Sequence, residues 1–273
     1  MLLTLNAACV RPLMLTPPKG RRAALTALDL PAFARETLGL SGLSLTTDML
    51  AGFDTHRLEG LREKADKVGC SCLLLAESEP QAFADPAGAD AAVARMKRVV
   101  QAANLLGCNS VAVRVKASDS DALIDPIAKR LRQVSEPAEK LDIALLIAPT
   151  TGLTSSPERL TELIKKVGGF RIGTFPDFQT AAAAKDPVAY LRRLCPYASA
   201  VNASTMKFKE GSGPDSLPTH ESYDLSAMVE AILSVGYDAT LSVDYRGEGD
   251  ITIGVSRSRA VLQAMLTETG AAE

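Results

Sequence analysis

The feature that most constrains the fold of this chain is a regular alternation of short apolar runs with longer amphipathic stretches. Eight runs that are apolar, or apolar at every second position, predict β-strands. They cover residues 2–6, 43–47, 70–77, 110–115, 142–148, 171–177, 198–204 and 239–245. Between them, apolar residues recur at helical spacing, as in residues 158–167 and 224–236. Strands and helices in this order favour a parallel sheet covered by helices.

The spacing of these units narrows the architecture further. Each strand–helix unit takes roughly 30 residues, and eight of them in a chain of 273 residues suit a (β/α)₈ barrel. A doubly wound sheet is the alternative, but the turn at residues 7–10 (AACV) lacks the glycines of a dinucleotide-binding loop. We therefore predict an α/β fold consisting of a single TIM barrel, with residues 1–273 as one domain.

Proline and glycine mark the predicted helix boundaries. Ser156 and Asp186 each precede a proline, which is typical of an N-cap followed by proline at the first helical position. Gly107, Gly168 and Gly236 stand where helices should end. Residues 207–222 concentrate Gly, Ser and Pro, so they predict the longest loop.

Composition excludes several classes of function. With 30 basic and 32 acidic residues the net charge is −2, and only 4% of residues are aromatic, so general nucleic-acid binding is not expected. No apolar run is long enough to span a membrane, and residues 1–15 lack the basic start of a signal peptide. Five scattered cysteines favour a reducing, cytoplasmic location, and two histidines exclude a multi-histidine metal site.

In a barrel, functional residues gather at the carboxyl ends of the strands, and alternation shows which side chains point inward. Val111, Val113 and Val115 should face the helices, as should Leu241 and Val243. The predicted inward set at the strand ends is polar and of mixed sign, which suits a small hydroxylated ligand. Its members are Glu77, Arg114, Lys116, Thr150, Asp177, Asn202, Ser204, Asp244 and Arg246. Its carboxylates could hold a hard divalent cation or act as general acid and base, and the pattern leaves both open.

Simpler structural roles compete with these functional ones. Asp177 could be the N-cap of the next helix. Asp244 could form a structural ion pair with Arg246 or Arg114. His220, in the long loop, could cover the mouth as a base or ligand, although a solvent-exposed histidine is the more common outcome.

Six segments of the sequence resemble a known family in order and spacing. They are residues 29–45 (DLPAFARETLGLSGLSL), 106–115 (LGCNSVAVRV), 152–167 (GLTSSPERLTELIKKV), 173–178 (GTFPDF), 186–204 (DPVAYLRRLCPYASAVNAS) and 236–247 (GYDATLSVDYRG). Together they resemble the sugar phosphate isomerase/epimerase family, part of the xylose isomerase-like TIM-barrel superfamily. Each segment alone is a weak signal, whereas the ordered set is specific for the superfamily and not for a substrate.

The resemblance implies a divalent metal held by four strand-end ligands, and this sequence departs from that pattern. The family's fifth-strand glutamate is replaced by Ala148, while the sixth-strand aspartate is kept as Asp177. Asn202 stands where a histidine or serine is usual, Ser204 where a lysine is often found, and Asp244 where a glutamate is usual. Any Mn²⁺ or Mg²⁺ bound by Asp177, Asp244 and Asn202 is therefore expected to be weakly held or absent.

Two functions follow from the resemblance, and a third is weaker. The first is an isomerase or epimerase acting on a small carbohydrate or sugar phosphate, with Asp244 as base and Asp177 as metal ligand. Substrate-binding groups would be Arg114, Lys116, Asn202, Ser204, Arg246 and Glu77. The second is a catalytically impaired sugar-binding or scaffold protein, which the loss of glutamate at Ala148 favours. Metal-dependent DNA repair is the third, but it needs more than two histidines. The sequence leaves a homo-oligomer open.

Overall fold

Eight parallel strands form one curled sheet in this computed structural model, which describes residues 1–15, 25–211 and 216–270. The strands of the sheet are β1 (Leu2–Asn6), β2 (Gly42–Thr46), β3 (Ser71–Ala76), β4 (Ser110–Arg114), β5 (Ala144–Ala148), β6 (Ile172–Thr174), β7 (Ala200–Thr205) and β10 (Thr240–Tyr245). Their order is β6-β5-β4-β3-β2-β1-β10-β7. Two further short strands, β8 (Phe208–Lys209) and β9 (Thr219–His220), pair antiparallel outside the sheet.

Helices follow the strands and cover the outer face of the sheet. They are α1 (Arg11–Met14), α2 (Leu30–Ala32), α3 (Thr55–Val68), α4 (Ala89–Leu106), α5 (Asp121–Glu139), α6 (Pro157–Val167), α7 (Phe178–Ala182), α8 (Pro187–Leu194), α9 (Leu225–Leu233) and α10 (Ile251–Glu268). A π-helical turn, Phe33–Thr37, extends α2, and 3₁₀ turns cover Ala7–Val10, Ala27–Asp29, Thr47–Leu50 and Cys195–Tyr197. No helix among the described residues is long and apolar enough to cross a membrane.

The predicted helix boundaries are confirmed at most of the marked positions. The side chains of Ser156 and Asp186 accept hydrogen bonds from the N–H groups that open α6 and α8. Gly107 ends α4 with φ of +78°, a left-handed conformation that glycine adopts without a Cβ clash. The helix end predicted at Gly236 lies beyond the observed one, because α9 already ends at Leu233 and the glycine lies in the turn that follows.

Side-chain alternation along the strands matches the predicted inward and outward faces. Val111, Val113 and Val115 pack in the main core with the helices. The inward positions form a separate small apolar cluster of Leu74, Ala112, Leu146 and Ala200. Beside it the buried Ser242 hydroxyl lies 2.9 Å from Thr4 Oγ1 and 2.8 Å from Ser44 Oγ, which links β10, β1 and β2.

The edge strands β6 and β7 meet at a seam. Among the described residues no continuous ladder joins them, but isolated parallel bridges connect Thr174 with Ala198 and Asp177 with Asn202. The Asn202 N–H also donates to the carbonyl of Pro176 at 2.8 Å. The predicted α/β fold with a parallel eight-stranded sheet is confirmed, whereas a fully closed barrel stays a prediction.

Two segments differ from the sequence-based expectation. The sixth strand ends at Thr174 instead of residue 177, because Pro176 has no N–H to donate and Asp177 already caps α7. The predicted loop at 207–222 contains the β8–β9 pair, and its residues 212–215 lie outside the described residues.

Candidate functional site

Four polar residues converge on β7 and at the carboxyl ends of β6 and β10, and we call them the polar cluster: Asp177, Asn202, Asp244 and Arg246. Asn202 and Asp244 are inward-facing strand residues, and Asp177 follows β6 as the N-cap of α7. Asn202 Nδ2 lies 2.6 Å from Asp177 Oδ2 and 2.7 Å from Asp244 Oδ2. The two acids that the sequence placed at separate strand ends therefore share one site.

Arg246 brings its guanidinium between these two carboxylates. Its Nη2 lies 2.6 Å from Asp177 Oδ2 and 2.7 Å from Asp244 Oδ2. Its Nε donates to Asp244 Oδ2 at 2.9 Å, and its Nη1 donates to Gln179 Oε1 at 2.6 Å and to Asp177 Oδ1 at 3.3 Å. All three guanidinium nitrogens are thus bound to side chains of the protein.

Asn202 is held in one orientation by a neighbour on β1. Asn6 Nδ2 donates to Asn202 Oδ1 at 2.9 Å, and Asn6 Oδ1 accepts from the Ala8 N–H at 3.1 Å. This chain of bonds fixes the carbonyl oxygen of Asn202 toward Asn6. Its amide nitrogen consequently faces the two acids, where a carboxylate needs a donor.

The electrostatics of the polar cluster follow from burial and from this close pairing. Burial raises the pKa of the Asp244 carboxyl above its usual value, against the opposing charge of Arg246 and the hydrogen bond from Asn202. Burial alone would lower the pKa of Arg246, but the charges of Asp244 and Asp177 outweigh it and raise that pKa. The guanidinium therefore stays charged throughout the physiological range.

A cavity of about 380 Å³ opens at the ends of the other strands, β2 to β5. Its walls include the small side chains of Ala76, Ala112 and Ala148, together with Phe175. Polar groups at its rim are Thr46, Ser78, Glu77, Arg114 and an ion pair between Arg11 and Asp48. Arg114 donates to the carbonyl of Ser78. We call this space the alanine cavity.

Glu77 lies at the border of the alanine cavity and is bound to the protein. Its Oε2 is 2.6 Å from Arg95 Nε, and its Oε1 accepts from Thr47 Oγ1 at 3.1 Å and from the Glu79 N–H at 3.2 Å. The carboxylate is buried, with 3% of its side chain exposed. Its present contacts position the β3 end rather than leave the group open to a ligand.

Of the remaining predicted site residues, Lys116 and Thr150 lie apart from both groups, whereas Ser204 is the register partner of Asp244 and borders the polar cluster. Lys116 is exposed and borders a different surface cleft together with Thr150. Ser204 is fully buried, and its hydroxyl accepts a hydrogen bond from the Gln179 N–H at 2.8 Å. The structure therefore brings together four of the predicted residues in the polar cluster. It places Glu77 and Arg114 at the border of the alanine cavity and Lys116 away from both groups.

Sequence reasoning missed Asn6 and Gln179 and gave His220 the wrong surroundings. Asn6 ends β1, so the strand-end rule could have found it, whereas nothing in the pattern marks Gln179. His220 is buried: its Nε2 accepts from the Met206 N–H at 3.1 Å, and its Nδ1 donates to the Tyr223 carbonyl at 2.9 Å. Burial lowers the pKa of this imidazole, which is held in its neutral form as a support for the loop.

The residues of the polar cluster do not fit a divalent metal. In the described part of the chain, no group of three or more His, Cys, Asp or Glu side chains converges in a way that could hold one. Both Oδ2 atoms that would serve as ligands bind Arg246, and Asn202 offers them its amide nitrogen instead of its oxygen. Ala148 supplies no oxygen at the fifth strand.

Comparison with known proteins gives one family and many similar folds. A family model described as "Xylose isomerase-like TIM barrel" matches residues 32–265. No curated protein matches the chain. The solved structure of L-ribulose 3-epimerase is 16% identical over 89% of this chain and 90% of its own, with a TM-score of 0.72. That of 3-keto-D-glucoside 4-epimerase from E. coli is 13% identical over 97% of this chain and 99% of its own, with a TM-score of 0.73.

A third structure adds a metal to the comparison. It is a xylose isomerase-like TIM barrel protein from Mycobacterium smegmatis in complex with magnesium, 18% identical over 94% of each chain, with a TM-score of 0.69. At such identities the likeness shows the fold alone.

Proposed function

The chain belongs to the xylose isomerase-like TIM barrel family, and on this basis we propose that it acts on a small carbohydrate or sugar phosphate by moving a proton next to a carbonyl group. The observation that carries the proposal is Asp244, a buried carboxyl at the end of β10 whose pKa is raised by burial. A carboxylate of raised basicity at a strand end is suited to accepting a proton from carbon. Two structural neighbours that are sugar epimerases support this chemical class.

The proposed reaction uses groups of this chain alone. Asp244 takes the proton from the carbon next to the carbonyl, and the C–H electron pair moves into an enediolate. The proton of the adjacent hydroxyl passes to the former carbonyl oxygen, and Asp244 returns its proton from the same face to the former carbonyl carbon. Arg246, beside Asp244, supplies a fixed positive charge as the anion forms. Arg114 at the alanine cavity is the group best placed for a phosphate or other oxyanion of the ligand.

In related proteins a divalent metal would polarise the carbonyl, but the residues present here do not fit one, so no step is assigned to a metal. We also propose that the sheet closes into a single (β/α)₈ barrel formed by the whole chain. The two bridges across the β6–β7 seam support closure.

The experiment that tests this function is solvent exchange. Ketoses, aldoses and their phosphates are incubated with the protein in D₂O containing EDTA, and ¹H NMR follows loss of the proton next to the carbonyl. We expect exchange with at least one sugar, lost in Asp244→Asn and kept in Asp238→Asn, an exposed aspartate just before β10. Exchange in the Asp244→Asn variant would remove the assigned base, and absence of exchange across the panel would remove the reaction.

Binding without turnover is a second candidate, and Ala148 favours it. A proton shuttle with two bases needs a second carboxylate, and the fifth strand ends in a methyl group at that position. Calorimetric titration with the same sugars separates the two functions, because a binding protein gives heat of binding without any exchange into D₂O.

A further inference from the structure

We infer that the guanidinium of Arg246 takes the place of a divalent cation in this family member, so that the polar cluster is complete without a metal. The inference concerns the cluster itself and holds whether or not the protein turns over a sugar. It makes Arg246 a positioning residue, one that fixes the two carboxylates by its own charge.

Arg246 already occupies the space that a shared metal would need. A metal shared by Asp177 and Asp244 would have to lie between their oxygens, and Nη2 of Arg246 occupies that point, within 2.7 Å of an oxygen of each acid. Nε and Nη1 add separate bonds to Asp244 and Gln179. A cation entering this space would either have to displace the arginine or lie beside its positive charge.

Asn202, independently of the arginine, is oriented against metal binding. As a metal ligand an asparagine must point its oxygen at the ion, because the amide nitrogen carries no available lone pair. Here Nδ2 faces both acids, and Oδ1 is bound to Asn6. Metal binding would require the amide to turn over and would cost the bond to Asn6.

The charges of the two acids are balanced by groups of the chain itself. Two acids this close to each other repel, and burial makes the repulsion stronger. One guanidinium and one amide supply donors to the acids from within the chain, and the Asp177 Oδ1 atom accepts a further bond from the Thr180 N–H at 2.9 Å. The cluster therefore has partners for its charges before any ligand arrives.

The test uses MnCl₂ alone as the probe, with the full chain at neutral pH after treatment with EDTA. Electron paramagnetic resonance measures free Mn²⁺, and thermal unfolding measures stability with and without the ion. We expect the wild-type protein to show no stoichiometric binding and no shift in Tm. In Arg246→Ala we expect Mn²⁺ to bind at least ~10-fold more tightly than in the wild type and to raise Tm, because the competing charge is gone.

Three further variants serve as controls for the Mn²⁺ experiment. Arg246→Gln keeps hydrogen-bond donors without the charge and should gain affinity for Mn²⁺ as Arg246→Ala does, so it covers the case in which Arg246→Ala does not fold. Arg246→Ala combined with Asp177→Asn should lose the gained affinity, since asparagine keeps the cap on α7 but removes a ligand charge. Arg257→Ala, which removes a half-buried arginine paired with the exposed Glu210, should leave Mn²⁺ binding unchanged.

Two results would overturn the inference. One is stoichiometric Mn²⁺ binding by the wild-type protein at micromolar concentration. The other is a folded Arg246→Ala variant whose affinity for Mn²⁺ equals that of the wild type. Neither result depends on whether the D₂O experiment finds a substrate, so failure of this inference and failure of the proposed function can be told apart.

Discussion

The two halves of the strand-end surface differ: one consists of polar groups that already bind one another, and the other leaves a cavity open. On the side of β6, β7 and β10 the charged residues at the expected ligand positions persist, and the protein's own donors bind them. On the side of β2 to β5 the walls include three alanines at the strand ends, and a cavity of about 380 Å³ remains open. The comparison shows that charge at a strand end is not the same as a free functional group. Open space at the strand ends lies where the side chains are small.

Of the changes that test this difference, removal of Arg246 should have the largest effect on the free energy of unfolding. Arg246→Ala leaves two neighbouring acids without their cation, and breaking a buried pair costs about 3–5 kcal/mol. Because 36% of the Arg246 side chain is exposed, solvent screens part of the loss, so we expect a fall of about 2–3 kcal/mol in the free energy of unfolding. Urea denaturation measures it.

The matched control for that measurement is Arg257→Ala at an exposed ion pair with Glu210, where the loss should stay below about 0.5 kcal/mol. Equal losses in the two variants would show that the polar cluster is no more than a surface ion pair.

Filling the alanine cavity tests whether the β2 to β5 side of the strand-end surface binds the sugar. Ala148→Leu adds bulk to the wall of the cavity and should weaken binding of any sugar found in the exchange screen by about 10-fold, or about 1.4 kcal/mol. Isothermal titration calorimetry measures the affinity. Ala189→Leu places the same side chain on the exposed surface of α8 and should leave the affinity unchanged. An unaffected Ala148→Leu variant would move the ligand site away from this cavity.

Glu77 tests whether charge on the cavity side is also held by the protein. Glu77→Gln keeps an oxygen for Thr47 and the Glu79 N–H but loses the charge paired with Arg95. We expect a loss of about 1 kcal/mol in the free energy of unfolding, with sugar affinity unchanged. A large loss of affinity at unchanged stability would make Glu77 a ligand-binding group instead.

The smallest expected effect is a pH dependence at His220. Burial lowers the pKa of this imidazole in the folded protein below its usual value near 6.5. The unfolded chain therefore takes up a proton first as pH falls, and stability is lost from about pH 6.5 downward until the folded protein is also protonated. Unfolding measured at several pH values should show this loss, and His220→Gln should flatten that part of the curve. An unchanged slope in the variant would assign the pH dependence to other groups.

Much of the fold was predictable because the strand signal is local. Seven of the eight predicted strands differ from the observed ones by at most two residues at either end, since alternation and flanking polar residues fix their positions. The sixth strand was the exception, because a proline and a helix cap within the run end the pairing early. Closure and the β8–β9 pair depend on contacts between distant segments, which a local pattern does not carry.

The sequence predicted which residues form the polar cluster, but not how their side chains bind one another. Alternation placed Asp244 and Arg246 on one strand face, and the ion pair between them was one of the two alternatives. Which alternative holds depends on side-chain conformations and on Asn6, which lies in a distant part of the sequence and turns the amide of Asn202. No spacing rule encodes the orientation of an amide group.

The seam between β6 and β7 is also where we expect the sheet to open first in local unfolding. Its backbone contacts are few, and the Asp177–Asn202 bond with the arginine across it ties the edges together at one end. Charged contacts weaken as ionic strength rises, whereas the regular ladders elsewhere do not depend on salt. Amide hydrogens near residues 172–177 and 198–202 should therefore exchange with solvent earlier than those of β1 to β4, and the difference should widen in concentrated salt.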